Sequence, residues 1–368
     1  MKTLYKLNAS GQISWWRISL NESTMKIEWG HRLPISVTEN IIEETLPSPE
    51  KAAQECQSRI NKQIDRRGYE EDIPTSRPIL PMRCQEFKGL PKFESYALQP
   101  KLDGIRALVS KEQIVSRTNK ILKSIPHIEL YANHLPDDII LDGELIIRNT
   151  PLNIIEGYVM KQYPDLKTCK EIEFHIFDIV DTEAPFIERI KCAEDILAQM
   201  EDRYLFYKTS PKSPYKNHPF FSAKFPFKIV PTIMYEEKVT QSVIDEYFKE
   251  KTKEGHEGII IRNLEGPYDI GIQSRHILKL KEFFDNEFEI VDVVEGKGEQ
   301  GIFVCRTHSH KEFSCSFKGT HAIRKQQLKD REFYIGKWLK VEHEGINPDT
   351  GKPRCPIGVH WFKAKDHD

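Results

Sequence analysis

The alternation of apolar and polar residues predicts a small sheet followed by a helix at the start of the chain. Three short runs alternate in strand fashion: 4–7, 13–18 and 25–29. A polar turn is expected at 8–11. Ser48 has the character of a helix N-cap before Pro49 at the first helical position, and Gly68 is placed to end that helix. The prolines within 74–81 predict a linker into the next unit.

The middle of the chain, from about residue 80 to 284, mixes apolar strand-like runs with helices. The runs are separated by polar and turn residues and lie at 107–109, 139–141, 174–177 and 258–261. This pattern favours an α+β domain built on antiparallel sheets. The segment 208–227 is rich in proline, lysine, serine and aromatic residues. It predicts a long surface excursion and a candidate nucleic-acid contact.

From residue 287 onward the pattern is one of short strands separated by turns. These runs lie at 290–294, 301–305, 313–317 and 338–341. Five or so short strands in this length are typical of a small β-barrel such as an OB-fold. The pattern therefore predicts three domains: a small α+β domain at 1–75, a larger α+β domain at 76–284 and a barrel at 285–368.

Composition adds limits rather than a function. The mean hydropathy is −0.54, the N-terminus lacks the apolar stretch of a signal peptide, and no apolar run approaches the ~20 residues of a membrane span. These features predict a soluble, intracellular chain with no membrane partner. The seven cysteines never occur as CxxC, which disfavours a disulfide framework and a structural zinc site. A net charge of −2 means that any binding of nucleic acid must come from local basic surface.

The candidate chemistry begins at residues 101–106, which read KLDGIR. Further short motifs follow in order: Ser116-Arg117, LDGELI at 141–146, FHIFD at 174–178, EGIIIR at 257–262 and LKLK at 278–281. This ordered series resembles the covalent nucleotidyltransferase superfamily of ATP-dependent DNA ligases, RNA ligases and mRNA capping enzymes. The resemblance extends from about residue 77 to the C-terminus. It implies an antiparallel-sheet, ATP-grasp-like nucleotidyltransferase domain followed by an OB-fold domain.

The resemblance makes Lys101 the nucleophile that attacks the α-phosphorus of ATP and carries AMP covalently. An ordinary lysine has a pKa near ~10.4 and is protonated at neutral pH, so a nucleophilic lysine needs a reason to lose its proton. Lys279 and Lys281 alternate on a predicted strand and project to one face. Cations near Lys101 would favour its neutral amine, and the same two lysines could neutralise the α-phosphate.

Two carboxylates and one aromatic residue complete the expected nucleotide site. Glu144 and Glu257 lie beside glycines at the ends of apolar strands, which suits Mg²⁺ held with phosphate and water ligands. By resemblance Glu144 also contacts the nucleotide sugar, and Phe177 stacks on adenine. Taken alone, the two glutamates would be sheet-edge salt-bridge partners and Phe177 a core aromatic residue. The other expected ATP or nick contacts are Gln99, Arg106 at the ribose and Arg117 at the 5′-phosphate.

The two ends of the chain show weaker resemblances. Residues 351–363 resemble the terminal motif of ligase OB domains, with Arg354 and Lys363 as its basic positions. Family OB domains swing over the ATP site and then clamp the nick, with a hinge expected here at 284–287. Departures are Cys355 in place of an aromatic, and His360 and Ile272 in place of arginines, with Arg275 a substitute in shifted register. The triplet at 29–31, Trp-Gly-His, weakly resembles a WGR-type nucleic-acid-binding module; an ordinary folded appendage fits as well.

The function that follows is an ATP-dependent DNA ligase that seals nicks in duplex DNA. Glu257-Gly258 favours it over a capping enzyme, which tends to carry Asp-Gly there, and the barrel favours it over many RNA ligases. RNA ligase and capping-type transferase remain as alternatives, as does a non-catalytic DNA-binding repair scaffold. The expected cofactors are ATP and Mg²⁺, with Mn²⁺ able to substitute. A monomer is expected in the cytoplasm or nucleoid, or in the host-cell cytoplasm if the protein is viral.

Overall fold

The computed structural model describes residues 1–7, 13–31, 40–73, 78–165, 167–215, 217–221, 224–347 and 350–363. Two compact units are present, Met1–Leu280 and Lys281–Asp368. None of the helices among the described residues is long and apolar enough to cross a membrane. The predicted turn at 8–11 and part of the predicted proline linker lie outside these residues.

The chain begins with a four-stranded antiparallel sheet of β1 (Lys2–Leu7), β2 (Ile13–Asn21), β3 (Thr24–His31) and β4 (Asn40–Thr45). Helix α1 (Pro49–Arg67) follows, and its first turn is capped because the Ser48 side chain accepts a hydrogen bond from the Lys51 amide. Gly68 ends the helix in the left-handed conformation (φ 68°) that glycine adopts readily. These features confirm the predicted strands and helix. Strand β4 was not predicted because all of its residues are exposed and show no alternation.

Two five-stranded sheets form the rest of the first unit. The first has the order β11-β10-β9-β7-β8 and the second β12-β6-β13-β14-β5. Most neighbouring strands are antiparallel, as predicted, but the edge pairs β10–β11 and β14–β5 are parallel. The strands are β5 (Arg83–Glu86), β6 (Tyr96–Lys101), β7 (Ile105–Val109), β8 (Ile114–Ser116), β9 (Leu141–Ile146), β10 (Glu173–Ile179), β11 (Phe227–Ile229), β12 (Ile233–Tyr235), β13 (Gly258–Asn263) and β14 (Gln273–Lys281).

Helices cover one face of the first sheet and leave its other face for polar side chains. They are α2 (Pro126–Ala132), α3 (Leu152–Val159), the short 3-10 helix η1 (Cys169–Glu171) and α4 (Phe186–Thr209); α5 (Gln241–Lys253) packs on the second sheet. The predicted excursion at 208–227 contains the end of α4 and irregular chain. Its aromatic side chains are not all displayed at the surface, since Phe221 and Phe225 pack around the buried Tyr131.

The second unit is a closed five-stranded barrel of order β15-β16-β17-β19-β18. Its strands are β15 (Phe284–Gly296), β16 (Gln300–Arg306), β17 (Glu312–Phe317), β18 (Trp338–His343) and β19 (Ile357–Phe362). Helices α6 (His321–Lys329) and α7 (Arg331–Tyr334) lie between β17 and β18 in the chain. Alternating inward residues such as Phe288, Ile290 and Phe303 fill the interior. The predicted OB-fold is therefore confirmed.

Candidate active site

Lys101 ends strand β6, whose other residues are all buried. It pairs in register with Gly258 on β13, and its ammonium donates a hydrogen bond to the carboxylate of Glu257, the residue before that strand. The lysine side chain is 21% exposed and the glutamate side chain 13%. Gly104 of the same motif lies against strand β9, since a Cβ there would come within 2.5 Å of the Leu145 carbonyl oxygen. Only glycine allows the turn after Lys101 to approach β9 this closely.

Arg106, Glu144 and His175 face one another in register on β7, β9 and β10. Residues paired in register project to the same face of a sheet, and here that face is the one left uncovered by the helices. Burial raises the pKa of Glu144 to about 7, and the positive charges of Lys101 and Arg106 only partly oppose this. The preceding Gly143 is required because a Cβ would come within 2.5 Å of the His175 carbonyl oxygen.

Phe177 contacts two guanidinium groups. Arg106 is 5.2 Å and Arg262 is 5.4 Å from the centre of its ring, distances typical of cation–π contacts. Strand β10 has a register shift between Ile176 and Asp178 at this point. Phe177 is half-buried on the opposite side of the strand from the core residues Phe174 and Ile176, as the alternation predicted. The ring is thus held against the polar face rather than packed in the core.

A buried hydrogen-bonded network supports this ring. Asp178 is fully buried and accepts hydrogen bonds from Arg189 (2.7 and 3.1 Å) and from Arg262 (2.7 Å). Arg262 also donates to Gln99 (2.7 Å), whose amide nitrogen donates to Thr232 (2.9 Å). The network joins the Phe177 strand to the Lys101 strand, because Gln99 lies two residues before Lys101.

Asp142 anchors Arg106 in the same way. Arg106 donates two hydrogen bonds to the buried Asp142 carboxylate, at 2.9 and 2.5 Å, and Tyr268 donates a third at 2.6 Å. Burial, together with the charge of Asp142, raises the pKa of Tyr268 well above its ordinary value, so the phenol stays protonated and donates. Arg106 was expected at the ribose; in the structure its guanidinium is held by Asp142 beside Phe177.

Sequence reasoning missed several members of these two networks. The missed residues are Asp142, Asp178, Arg189, Arg262 and Tyr268. Asp142, Asp178 and Arg262 stand within the motif strings, where a charged residue in an otherwise apolar strand could have identified each as a buried, paired group. Arg189 and Tyr268 lie outside those strings, and no local pattern sets them apart.

The two lysines expected beside Lys101 have ion-pair partners of their own. Lys279 pairs with Glu86 on the adjacent strand β5, and Lys281 pairs with Glu344, each at 2.8 Å. The charged group bonded to Lys101 is a carboxylate. The effect that Lys279 and Lys281 are expected to have on the amine of Lys101 therefore stays a prediction.

The remaining expected site residues are more exposed or lie in the second unit. Arg117 is exposed just after β8. Arg354 is half-buried beside Cys355, which adopts a positive φ of 49°, and Lys363 and His360 are exposed. Ile272 is 56% exposed, and Arg275 is exposed on the following strand.

The carboxylates near Lys101 could supply some, but not all, of the ligands of a magnesium ion. Among the described residues no group of three or more His, Cys, Asp or Glu side chains is placed to hold a metal. Glu144 and Glu257 supply two carboxylates around Lys101, and Mg²⁺ is commonly bound by one or two carboxylates together with substrate phosphates. These residues therefore fit a magnesium ion that arrives with a nucleotide.

Comparison with known proteins shows which proteins this chain resembles. Residues 38–283 match the family described as mRNA capping enzyme, catalytic domain. A DNA ligase of African swine fever virus is 30% identical over 309 residues, which cover 75% of this chain and 66% of the viral protein. A DNA ligase of Methanococcus vannielii is 27% identical over 274 residues, 66% of this chain and 44% of the archaeal protein. The chain thus spans just under two thirds of the viral relative it matches.

Solved structures agree at the level of fold. A structure from work on Lig E DNA ligases, described as binding DNA with a minimal scaffold, has a TM-score of 0.59 at 17% identity. It covers 77% of this chain and 99% of that chain. At this identity the likeness is one of fold alone.

Proposed function

The chain belongs to the nucleotidyltransferase family described as mRNA capping enzyme, catalytic domain, and from its site and its DNA-ligase relatives we propose that it is an ATP-dependent DNA ligase. The observation that carries the proposal is the polar face around Lys101. A lysine, two carboxylates and a half-buried aromatic ring flanked by guanidinium groups are gathered there. This is the set needed to bind a nucleotide and transfer its phosphoryl group to lysine.

Three displacements make up the proposed reaction. The Lys101 amine attacks the α-phosphorus of ATP, a P–N bond forms and pyrophosphate leaves. The 5′-phosphate at a DNA nick then attacks the lysyl-AMP and takes the AMP. The 3′-hydroxyl attacks the activated 5′-phosphate, a phosphodiester bond forms and AMP leaves. Positioning and charge neutralisation supply most of the acceleration in such transfers.

The residues divide the work according to their positions. Phe177 stacks on the adenine. Gln99, which is held by hydrogen bonds with Arg262 and Thr232, also contacts the nucleotide. When the pair opens, Glu257 accepts the proton from the Lys101 ammonium and then releases it to solvent. Lys279 and Lys281 meet the phosphates once their carboxylate partners are displaced, and Arg117 meets the 5′-phosphate. We assign Arg354 and Lys363 to the nucleotide or the nick as well.

Glu144 and Glu257 would hold Mg²⁺ together with the nucleotide phosphates. When bound, the cation neutralises charge on the phosphates and withdraws electrons from the reacting phosphorus. Burial raises the pKa of Glu144 to about 7. A nearby cation would lower this pKa again, because it stabilises the charged form of the carboxylate.

DNA is the proposed acceptor because the curated relatives that match are named DNA ligases. The barrel of the second unit also suits a chain that binds nucleic acid. We propose further that the domains divide near residues 76 and 285, that the N-terminal sheet and α1 bind DNA, and that the chain acts as a monomer on nicked duplex DNA.

A capping-type transferase is the second candidate, since the matching family carries that name. Incubation with α-labelled ATP or GTP and Mg²⁺ separates the two. We expect covalent label that stays on the denatured protein, from ATP alone, and its loss in Lys101→Ala. Label from GTP would favour capping chemistry, and absence of label from either nucleotide would overturn the enzyme proposal.

The acceptor is tested on the same preparation. We expect sealing of nicked duplex DNA to exceed sealing of a nicked DNA–RNA hybrid and joining of single-stranded RNA. A preference for single-stranded RNA would replace the DNA-ligase proposal with an RNA-ligase one.

A further inference from the structure

Three basic side chains surround Glu173 at the start of β10. Its carboxylate pairs with Arg148 (3.2 Å), His175 (3.0 Å) and Lys228 (2.9 Å). Burial acts against the charge, yet the hydrogen bonds from Lys228 and His175 lower the pKa of Glu173 to about 2, so it stays ionised. Even with a neutral imidazole, two permanent positive charges face one negative charge. The group carries a net positive charge.

This group continues the polar face of the candidate active site. His175 pairs in register with Glu144 on one side and with Lys228 on the edge strand β11 on the other. Arg106, Glu144, His175 and Lys228 therefore form one row across four strands. Neighbouring strands lie about 4.8 Å apart, so Lys228 lies about 10 Å from Glu144. The row leads from the expected nucleotide site to the open edge of the sheet.

The donors have capacity beyond Glu173. A guanidinium carries five N–H donors and an ammonium three, and the bonds described here direct one from each of Arg148 and Lys228 to Glu173. The Arg148 side chain is 66% exposed and the Lys228 side chain 32%. Both can therefore reach a ligand in solvent without leaving Glu173. Guanidinium and ammonium groups side by side at a sheet edge suit a phosphate.

We propose that Arg148, His175 and Lys228 bind a backbone phosphate of the polynucleotide acceptor. The inference rests on the proposed function, since it takes the reacting phosphate to lie near Glu144. A distance of about 10 Å from Glu144 places this phosphate within a few nucleotides of the reacting one. Glu173 holds the three donors in place and opposes the anion by its own charge.

The charge of Glu173 determines the direction in which DNA affinity should change when this residue is substituted. Glu173→Gln keeps the shape of the side chain and removes the negative charge that competes with a phosphate. A phosphate site predicts that this variant binds DNA more tightly. A purely structural cluster predicts lower thermal stability with no gain in DNA binding.

The test measures binding of nicked duplex DNA to the full chain by fluorescence anisotropy between about 50 and 200 mM salt. We expect Glu173→Gln to lower Kd about 3-fold or more. The double variant Arg148→Gln/Lys228→Gln should raise Kd about 10-fold at low salt. Its plot of log affinity against log salt should be shallower by about 0.9, the value for one phosphate contact.

The matched control is Lys111→Gln/Lys238→Gln. These two lysines are also exposed and paired with carboxylates, Asp137 and Glu94, but they lie outside the row. The control should keep the wild-type slope. Equal slopes for the two double variants, or a Glu173→Gln variant that binds no more tightly than wild type, would overturn the phosphate site.

Parallel labelling with ATP separates this inference from the proposed function. If the wild-type chain forms no covalent adenylate, the proposed function fails and this inference fails with it. If the chain is adenylated and binds the nick with slopes that the variants do not change, only the phosphate site fails.

Discussion

The ammonium of Lys101 donates a hydrogen bond to the carboxylate of Glu257, across adjacent strands of one sheet. An ammonium has no lone pair, so it cannot attack phosphorus. In the proposed reaction the pair must open, and Lys101 must lose a proton, before lysyl-AMP can form. The carboxylate that holds the lysine is therefore also the nearest described group able to accept that proton.

Glu257→Gln is expected to slow adenylation of Lys101 by about 10²-fold or more, because an amide can neither accept the proton nor hold a cation. The measurement is the single-turnover rate of label transfer from α-labelled ATP. Glu254→Gln is the matched control, since Glu254 is exposed three residues earlier and pairs with Lys251. It should label at the wild-type rate. A Glu257→Gln variant as fast as wild type would mean that the pair merely restrains the lysine.

Glu144 should make stability depend on pH in an unusual direction. Burial raises its pKa from 4.5 to about 7, so the folded chain binds this proton more tightly than the unfolded chain does. The stabilising contribution of this more tightly bound proton is full below about pH 4.5 and is lost as the pH rises to about 7. Glu144→Gln removes this loss. The variant should be more stable than wild type at about pH 8, by about 2 kcal/mol, and close to wild type at about pH 5.

Thermal unfolding in the absence of nucleotide tests this prediction at both pH values. Glu173→Gln, on the neighbouring strand, is the control with the opposite sign. Hydrogen bonds lower the pKa of Glu173 to about 2, so its contribution is present at both pH values and the variant should be destabilised at both. A Glu144→Gln effect that does not change between pH 5 and pH 8 would contradict the raised pKa.

The sequence was sufficient where the fold depends on local pattern. The alternation in β10 placed Phe177 opposite Phe174, and the Ser48 and Gly68 signals bounded α1. The glycines of two motifs were recognisable by resemblance. The structure gives their physical reason, since Gly104 and Gly143 each lie where a Cβ would overlap backbone.

Charge pairing was less predictable because its partners are far apart in the chain. Asp178 and Arg262 are 84 residues apart in the chain. Lys279 pairs with Glu86 on β5, which is adjacent to its own strand in the sheet but far from it in the sequence. Neither periodicity nor spacing reports such contacts. Lys279 and Lys281 were expected beside Lys101, and the motif that contains them did not reveal the carboxylate that the structure places beside each.

Phe177→Ala is expected to weaken ATP binding by about 5- to 100-fold, the range for loss of one base–aromatic stack. Contacts with Arg106 and Arg262 hold the ring on the polar face of the sheet. Phe177→Tyr keeps the stacking face and should stay within a few-fold of wild type. The dissociation constant for ATP is the quantity to measure. Equal binding by the alanine variant and wild type would assign Phe177 to packing alone.

Asp178→Ala should be the most destabilising single change near the site. It leaves Arg189 and Arg262 buried, at 2% and 3% exposure, without their shared carboxylate. Breaking a buried ion pair from one side costs about 3 to 5 kcal/mol. The melting temperature of the first unit should fall accordingly, and Asp245→Ala, which alters an exposed carboxylate on α5 bonded to Gln241, should change it little.

Since Arg262 also flanks Phe177, any Asp178→Ala protein that folds should bind ATP more weakly than wild type. Wild-type stability in Asp178→Ala would show that the two arginines find other partners.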